Sequence, residues 1–105
     1  MIDERTIALA SSRLTAAIPD AARVYLFGSA ARQQTGPDSD LDFLVIEPIV
    51  EDRAKEAVRL RRAIGDVGVP VDVIVLDSTT AASRANVPGT MVHHALTDGR
   101  LLDAG

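Results

Sequence analysis

The stretch from Gly28 to Asp42, GSAARQQTGPDSDLD, decides how this chain is read. It follows Val24–Phe27, a short apolar run of β-formers closed by Gly28-Ser29, which predicts a buried strand. It leads into Asp40–Ile46, which predicts a second strand. Between them, Ser29–Gln34 is expected as a short helix and Thr35-Gly36-Pro37-Asp38 as a loop. Glycine at a strand end lets the backbone approach a ligand closely. The free amides of a helix start favour anions, phosphate above all. Ser29 adds a hydroxyl donor at the same place.

Asp40 and Asp42 are two residues apart, so on a strand both point to one face, while Leu41, Phe43 and Val45 point to the other. Aspartate is depleted from strands, and two on one face require an explanation. Asp72 interrupts a third apolar run, Val71–Leu76, rich in β-branched residues. If that strand lies beside the second in suitable register, Asp72 joins the other two carboxylates. Two such charges about 4 Å apart repel by about 4 kcal/mol at an effective dielectric near 20. Nothing basic is adjacent in sequence to relieve this. Oxygen-rich clusters of this kind suit Mg²⁺ or Mn²⁺. A phosphate cradle beside a two-metal carboxylate site is equipment for phosphoryl or nucleotidyl transfer. Each piece also occurs for structural reasons alone: Gly-Ser as a turn, Asp-x-Asp as a solvated turn flank, Asp72 as a cap after Pro70. Together they are different, because Gly-Ser-x10-Asp-x-Asp arises by chance in roughly one in a thousand chains of this length.

Outward from this segment the chain alternates. Asp3 to Ile18 predicts a helix, with Ile7, Ala10, Leu14, Ala17 and Ile18 at helical spacing, Asp3 as cap and Pro19 after its end. Glu51–Ile64 predicts another, with Ala54, Ala57, Val58 and Ile64 as its inner stripe and Gly65 beyond it. Asp77-Ser78-Thr79 offers a cap for a short helix to about Ala85, Asn86–Thr90 is a break, and Met91–Leu96 is a further helical turn or two. Arg100–Leu102 is a candidate edge strand. Helices alternating with strands indicate an α/β layer, a small mixed sheet packed with helices. The helix between the second and third strands provides a crossover, so that pair is expected to be parallel.

At 105 residues the chain is expected to form one domain over residues 1–105. It is 47% apolar and 25% charged with a mean hydropathy of +0.13, the balance of a globular rather than a disordered chain. The absence of cysteine excludes a disulfide framework, a thiol nucleophile and a zinc–thiolate site. No apolar run reaches a spanning length of about 18 residues, and Met1–Arg5 carries acids ahead of any apolar run, so no secretory signal is visible and a cytoplasmic location is expected. Eleven basic against 15 acidic residues give a net charge of −4, and the only aromatics are Tyr25, Phe27 and Phe43. That argues against a nucleic-acid groove or a base-stacking platform. It does not argue against a nucleotide, since a bound metal reverses the local sign.

The residues Gly28-Ser29, Ala31-Arg32, Ser39-Asp40-Leu41-Asp42 and Asp72 resemble the minimal nucleotidyltransferases, the MNT branch of the polymerase-β-type superfamily. The resemblance covers nearly the whole chain, through the ending Asp98-Gly99-Arg100-Leu101-Leu102, and implies the stand-alone form of the nucleotidyltransferase fold. It implies a nucleoside triphosphate, ATP above others, as substrate, with two Mg²⁺ or Mn²⁺ ions. Asp40 and Asp42 would hold both metals. Asp72 would complete the one that activates the acceptor oxygen and help take its proton. Gly28 and Ser29 would bind the β and γ phosphates, and Arg32 would neutralise triphosphate charge. Many members carry Arg or another larger residue where this chain has Ala30. Stand-alone members are commonly the antitoxin of a pair with a HEPN-domain ribonuclease, which they inactivate by transferring AMP to a tyrosine. Two other readings belong beside this one: nucleotidyl transfer to a small molecule or RNA with a partner subunit completing the pocket, and a non-catalytic antitoxin acting by contact.

The remaining polar features have structural readings. His93 and His94 are adjacent and diverge on a helix, which suits surface or partner contact better than a metal. Arg59, Arg61 and Arg62 lie near a helix C-terminus, where the dipole favours cations. Tyr25 sits inside the first strand and reads as structural rather than as an acceptor of its own AMP.

Overall fold

A computed structural model describes residues 2–28 and 39–103. The chain runs α1 (Glu4–Thr15), β1 (Arg23–Phe27), β2 (Leu41–Glu47), α2 (Arg53–Ile64), β3 (Val71–Asp77), α3 (Ser78–Ala85), α4 (Met91–Asp98) and β4 (Arg100–Asp103). The short helix expected over Ser29–Gln34 falls outside the described residues. The four strands form one sheet in the order β3-β2-β1-β4. β1 pairs antiparallel with both β2 and β4, while β2 and β3 run parallel across the α2 crossover, as expected.

Helix boundaries follow capping chemistry. The Asp3 carboxylate accepts from the Thr6 amide at 2.9 Å and starts α1. α1 stops at Thr15 rather than Ile18, because its last turn tightens and the Ala17 amide donates to the Leu14 carbonyl. Ala17 and Ile18 still pack against the core beyond the helix end. α2 begins at Arg53 and not at Glu51, because Asp52 is its cap and accepts from the Lys55 amide at 3.1 Å. Asp77 caps α3 by accepting from the Thr80 amide at 2.8 Å. Thr90 caps α4, which continues to Asp98, past the Leu96 end expected from the sequence.

The sheet separates two apolar layers. On one side Phe43, Val45, Leu41, Val24 and Leu26 pack with Ile7 and Leu14 of α1 and with Leu60 and Ile64 of α2. On the other, Leu44, Ile46 and Leu76 pack with Ala81 of α3 and Val92 and Ala95 of α4, with Tyr25 and Phe27 against them. Tyr25 is therefore structural. Burying one such large side chain contributes about 1.5–3 kcal/mol. The inner stripe of α2 differs from the sequence expectation: Ala54 and Val58 are exposed, and Leu60 is buried with Ile64, while Ala57 packs beside them. Val58 follows Ala57 by one residue, about 100° around the helix, and α2 meets the sheet along a seam too narrow to include both. Among the described residues no helix is long and apolar enough to cross a membrane.

Candidate active site

The site is built at the end of β1 and the start of β2 and β3. Antiparallel pairing sets Phe27 opposite Asp42, and parallel pairing sets Asp42 opposite Asp72. Partners in register point to the same face. Here that face is the one that packs against α3 and α4, because Phe27, Leu44 and Ile46 alternate onto it. Asp40 precedes the strand that the sequence predicts it to open; β2 starts at Leu41, whose amide donates to the Pro70 carbonyl at 3.0 Å. Asp40 nonetheless stays with the other two. One carboxylate oxygen from each of Asp40, Asp42 and Asp72 lies within 4.8 Å of the others.

Gly28 shapes the approach. Its φ is +77°, a conformation that side chains rarely tolerate, and a Cβ added there would stand 2.6 Å from Asp42 Oδ2. The glycine therefore lies directly against the carboxylate. Asp40 and Asp42 are half-buried and Asp72 is exposed. Burial, then the charges of Asp40 and Asp72, push the Asp42 carboxyl above the usual aspartate range, and among the described residues no basic group opposes them. Three oxygen donors crowded together at such a cost form a donor set that fits a hard divalent cation such as Mg²⁺ or Mn²⁺. The sequence singles out all three aspartates and Gly28, and the fold brings these four together. Ser29 and Arg32 lie outside the described residues.

Two of the other polar residues, His93 and Arg59, have structural roles. His93 Nδ1 is 2.9 Å from the Ala85 carbonyl oxygen, holding α3 and α4 together. Arg59 donates to both carboxylate oxygens of Glu56 at 2.7 Å and to the Ala17 carbonyl at 2.9 Å, tying α2 to the end of α1. Sequence reasoning misses Glu47, a carboxyl buried at the end of β2 and only 4% exposed. An acid closing an apolar strand looks like a solvated turn residue until Glu56 and Arg59 of α2 are placed beside it.

A family model for the nucleotidyltransferase domain matches residues 11–88, a span that contains the whole aspartate cluster. The chain belongs to the nucleotidyltransferase domain family. No curated protein matches the sequence. Among solved structures, this nucleotidyltransferase domain is similar to a protein from Sulfolobus solfataricus described as a nucleotidyltransferase, with 26% identity and a TM-score of 0.58 over 92% of this chain and 78% of that one. It is similar to a MntA–HpeT toxin–antitoxin mutant, with 25% identity and a TM-score of 0.58 over 100% of this chain and 75% of the other. A toxin–antitoxin solved with AMP-PNP shares the fold at 24% identity and a TM-score of 0.56, over 99% of this chain and 75% of that one. The nucleotidyltransferase domain is thus a single α/β unit of four strands and four helices among the described residues, with toxin–antitoxin proteins among its structural neighbours.

Proposed function

We propose that this domain is a metal-dependent adenylyltransferase antitoxin of the cytoplasm, transferring AMP from ATP to a tyrosine of a partner HEPN ribonuclease and so neutralising it. The observation that carries the reading is the convergence of the Asp40, Asp42 and Asp72 carboxylates within 4.8 Å beside a positive-φ glycine. Structural similarity to a MntA–HpeT toxin–antitoxin and to a toxin–antitoxin solved with AMP-PNP supports both the partner class and the nucleotide.

Asp40 and Asp42 would hold the divalent ions, and Asp72 would complete their ligand set. Bound there, the ions supply charge neutralisation for the triphosphate and for the transition state. Gly28 admits the phosphates to the backbone, Ser29 donates to them, and Arg32 balances their charge. The acceptor tyrosine oxygen forms a bond to the α-phosphorus in line with the bond that breaks, the one to the bridging oxygen of the β-phosphate. Pyrophosphate leaves with that electron pair, and the phenolic proton passes to Asp72.

The test mixes the protein with α-labelled ATP, Mg²⁺ and the product of its neighbouring gene. Label is expected on the partner protein, and none with Asp42→Asn. Label confined to a small-molecule or RNA fraction would replace the protein acceptor. Silencing of the partner with no label anywhere would mean neutralisation by contact.

A further inference from the structure

Charge is unevenly spread over this chain. The whole carries −4, yet α2 holds five cations, Arg53, Lys55, Arg59, Arg61 and Arg62, against one anion, Glu56. That is +4 on 12 residues, and the remainder of the chain carries −8. We infer that the outer face of α2 and the entry to β3 form the docking surface for an acidic, partly apolar segment of the partner protein. This rests on the antitoxin reading for the partner's identity.

The surface has a definite shape. Lys55, Val58, Arg59 and Arg62 recur at helical spacing and are all exposed. Val58 is 48% exposed, an apolar side chain standing among cations. Two open cavities of about 460 and 420 Å³ meet at this point, both lined by Val58 and Arg62. The first lies along α2 beside Ala54 and Lys55, and the second continues to Val69, Pro70 and Val71. Together they form a trough with an apolar floor and cationic rims.

The chemistry selects the occupant. Arg59 is committed to Glu56 and to the Ala17 carbonyl. Lys55, Arg61 and Arg62 make no side-chain hydrogen bond or ion pair among the described residues. The helix dipole favours cations in the last turn but leaves their donors unused. Like charges crowded on one helix repel, and carboxylates of an occupant would relieve that repulsion. An apolar residue between those carboxylates would cover Val58. A nucleic acid fits less well. Its phosphates would meet the cations, but Tyr25, Phe27 and Phe43 all pack in the two apolar layers, so no ring on this face can stack a base.

Position connects the trough to the chemistry. Val71 immediately precedes Asp72, and the Pro70 carbonyl accepts from the amide of Leu41, the residue between Asp40 and Asp42. α2 packs on the sheet face opposite the aspartates, but the trough opens at the strand end where the cluster lies. A partner held on α2 needs only to pass round the end of β3 to bring a side chain to Asp72, which is exposed. Docking and transfer therefore use different residues, and each can be removed alone.

The experiment measures binding of the purified product of the neighbouring gene to the full chain by calorimetry, at about 50 and about 300 mM salt. Wild type is expected to bind more weakly at the higher salt. The double variant Arg61→Glu with Arg62→Glu should weaken the complex about tenfold or more, and Val58→Asp should do the same. Arg61→Lys with Arg62→Lys keeps the charge and should stay within about threefold of wild type. Arg5→Glu, a charge reversal on an exposed residue of α1, should bind like wild type. All variants should keep the Mn²⁺-induced rise in melting temperature, which separates lost docking from a folding defect or a damaged metal site. Wild-type affinity in both the double variant and Val58→Asp would overturn the docking surface and leave the antitoxin reading standing. Equal loss in Arg5→Glu would overturn it too, by showing that overall charge and not this face sets affinity. A single-stranded oligoribonucleotide bound by wild type and released by the double variant, with partner binding unchanged, would replace the protein occupant. No binding of the partner by wild type would overturn both readings.

Discussion

Asp42 and Asp72 face one another as strand partners in the parallel β2–β3 pair, although 29 intervening residues separate them along the chain. With Asp40 they set three carboxylates on one face, against a glycine whose missing side chain leaves room for the Asp42 carboxylate. The arrangement costs stability in the metal-free protein and gains it when a cation binds.

Removing one charge should therefore stabilise the metal-free protein while abolishing transfer. The Asp42 carboxyl is raised, so the folded state holds its proton more tightly than the unfolded state, and stability is lost as pH rises past the usual aspartate range. Asp42→Asn deletes that loss. Each neighbouring charge contributes about 1 kcal/mol in water-like surroundings, which corresponds to roughly 4–8 °C in melting temperature for a domain of this size. Thermal melts at neutral pH in chelator should show Asp42→Asn above wild type. Added Mn²⁺ should reverse the order, since a ligand at 100 times its Kd stabilises only the competent protein, by about 2.7 kcal/mol. A variant that melts below wild type in chelator would contradict the repulsion argument.

A second group of acids sets a different pH dependence. Glu47 is buried, and its Oε2 finds no partner among the described residues. Burial first, then sharing a proton with Glu56, push its carboxyl up to about 7, whereas Arg59 draws Glu56 down to about 2. Glu56 thus adds stability as pH rises to about 4.5, and Glu47 removes it again as pH rises from about 4.5 through 7. Glu47→Gln mimics the protonated form. Urea unfolding at pH 5 and pH 8 should show the variant matching wild type at the lower value and exceeding it at the higher one. An equal difference at both values would show that Glu47 does not titrate between them.

The two glycines at the site should fail in distinguishable ways. Gly28→Ala places a side chain at φ +77° and drives a methyl group into Asp42 Oδ2, 2.6 Å away. The backbone strain alone is about 1–2 kcal/mol, and the displaced carboxylate should abolish the Mn²⁺-induced rise in melting temperature. Gly99→Ala crowds the Ala95 and Leu26 carbonyls instead, costing about 1–3 kcal/mol. Its Mn²⁺ response should survive, because it touches no carboxylate of the cluster. Metal titrations followed by thermal melts separate the two, and loss of the response in Gly99→Ala would show that α4 supports the metal site directly.

Local patterns carry much of this molecule. The run Val24–Phe27 with its closing glycine, the alternation that sends Asp40 and Asp42 opposite to Phe43, and the Asp3 and Asp77 caps are short-range chemistry, legible from neighbours in the chain. The α2 stripe is legible only in part: Ala57 and Ile64 pack inward, but Val58 lies outside the seam and Leu60 inside it. Helical spacing marks an apolar face without saying how wide a partner will cover it.

What the sequence by itself determined was an α/β domain with a glycine closing its first strand and an aspartate pair, Asp40 and Asp42, at the start of its second. Tertiary structure decided that Asp72 completes the cluster, because register across a crossover depends on how α2 packs and not on any adjacent residue. It also decided the pairing of Glu47 with Glu56, and the trough that α2 and the start of β3 form around Val58. Each of these joins groups far apart in the chain. Their proximity is set by the packing of helices onto a twisted sheet, which no local preference encodes.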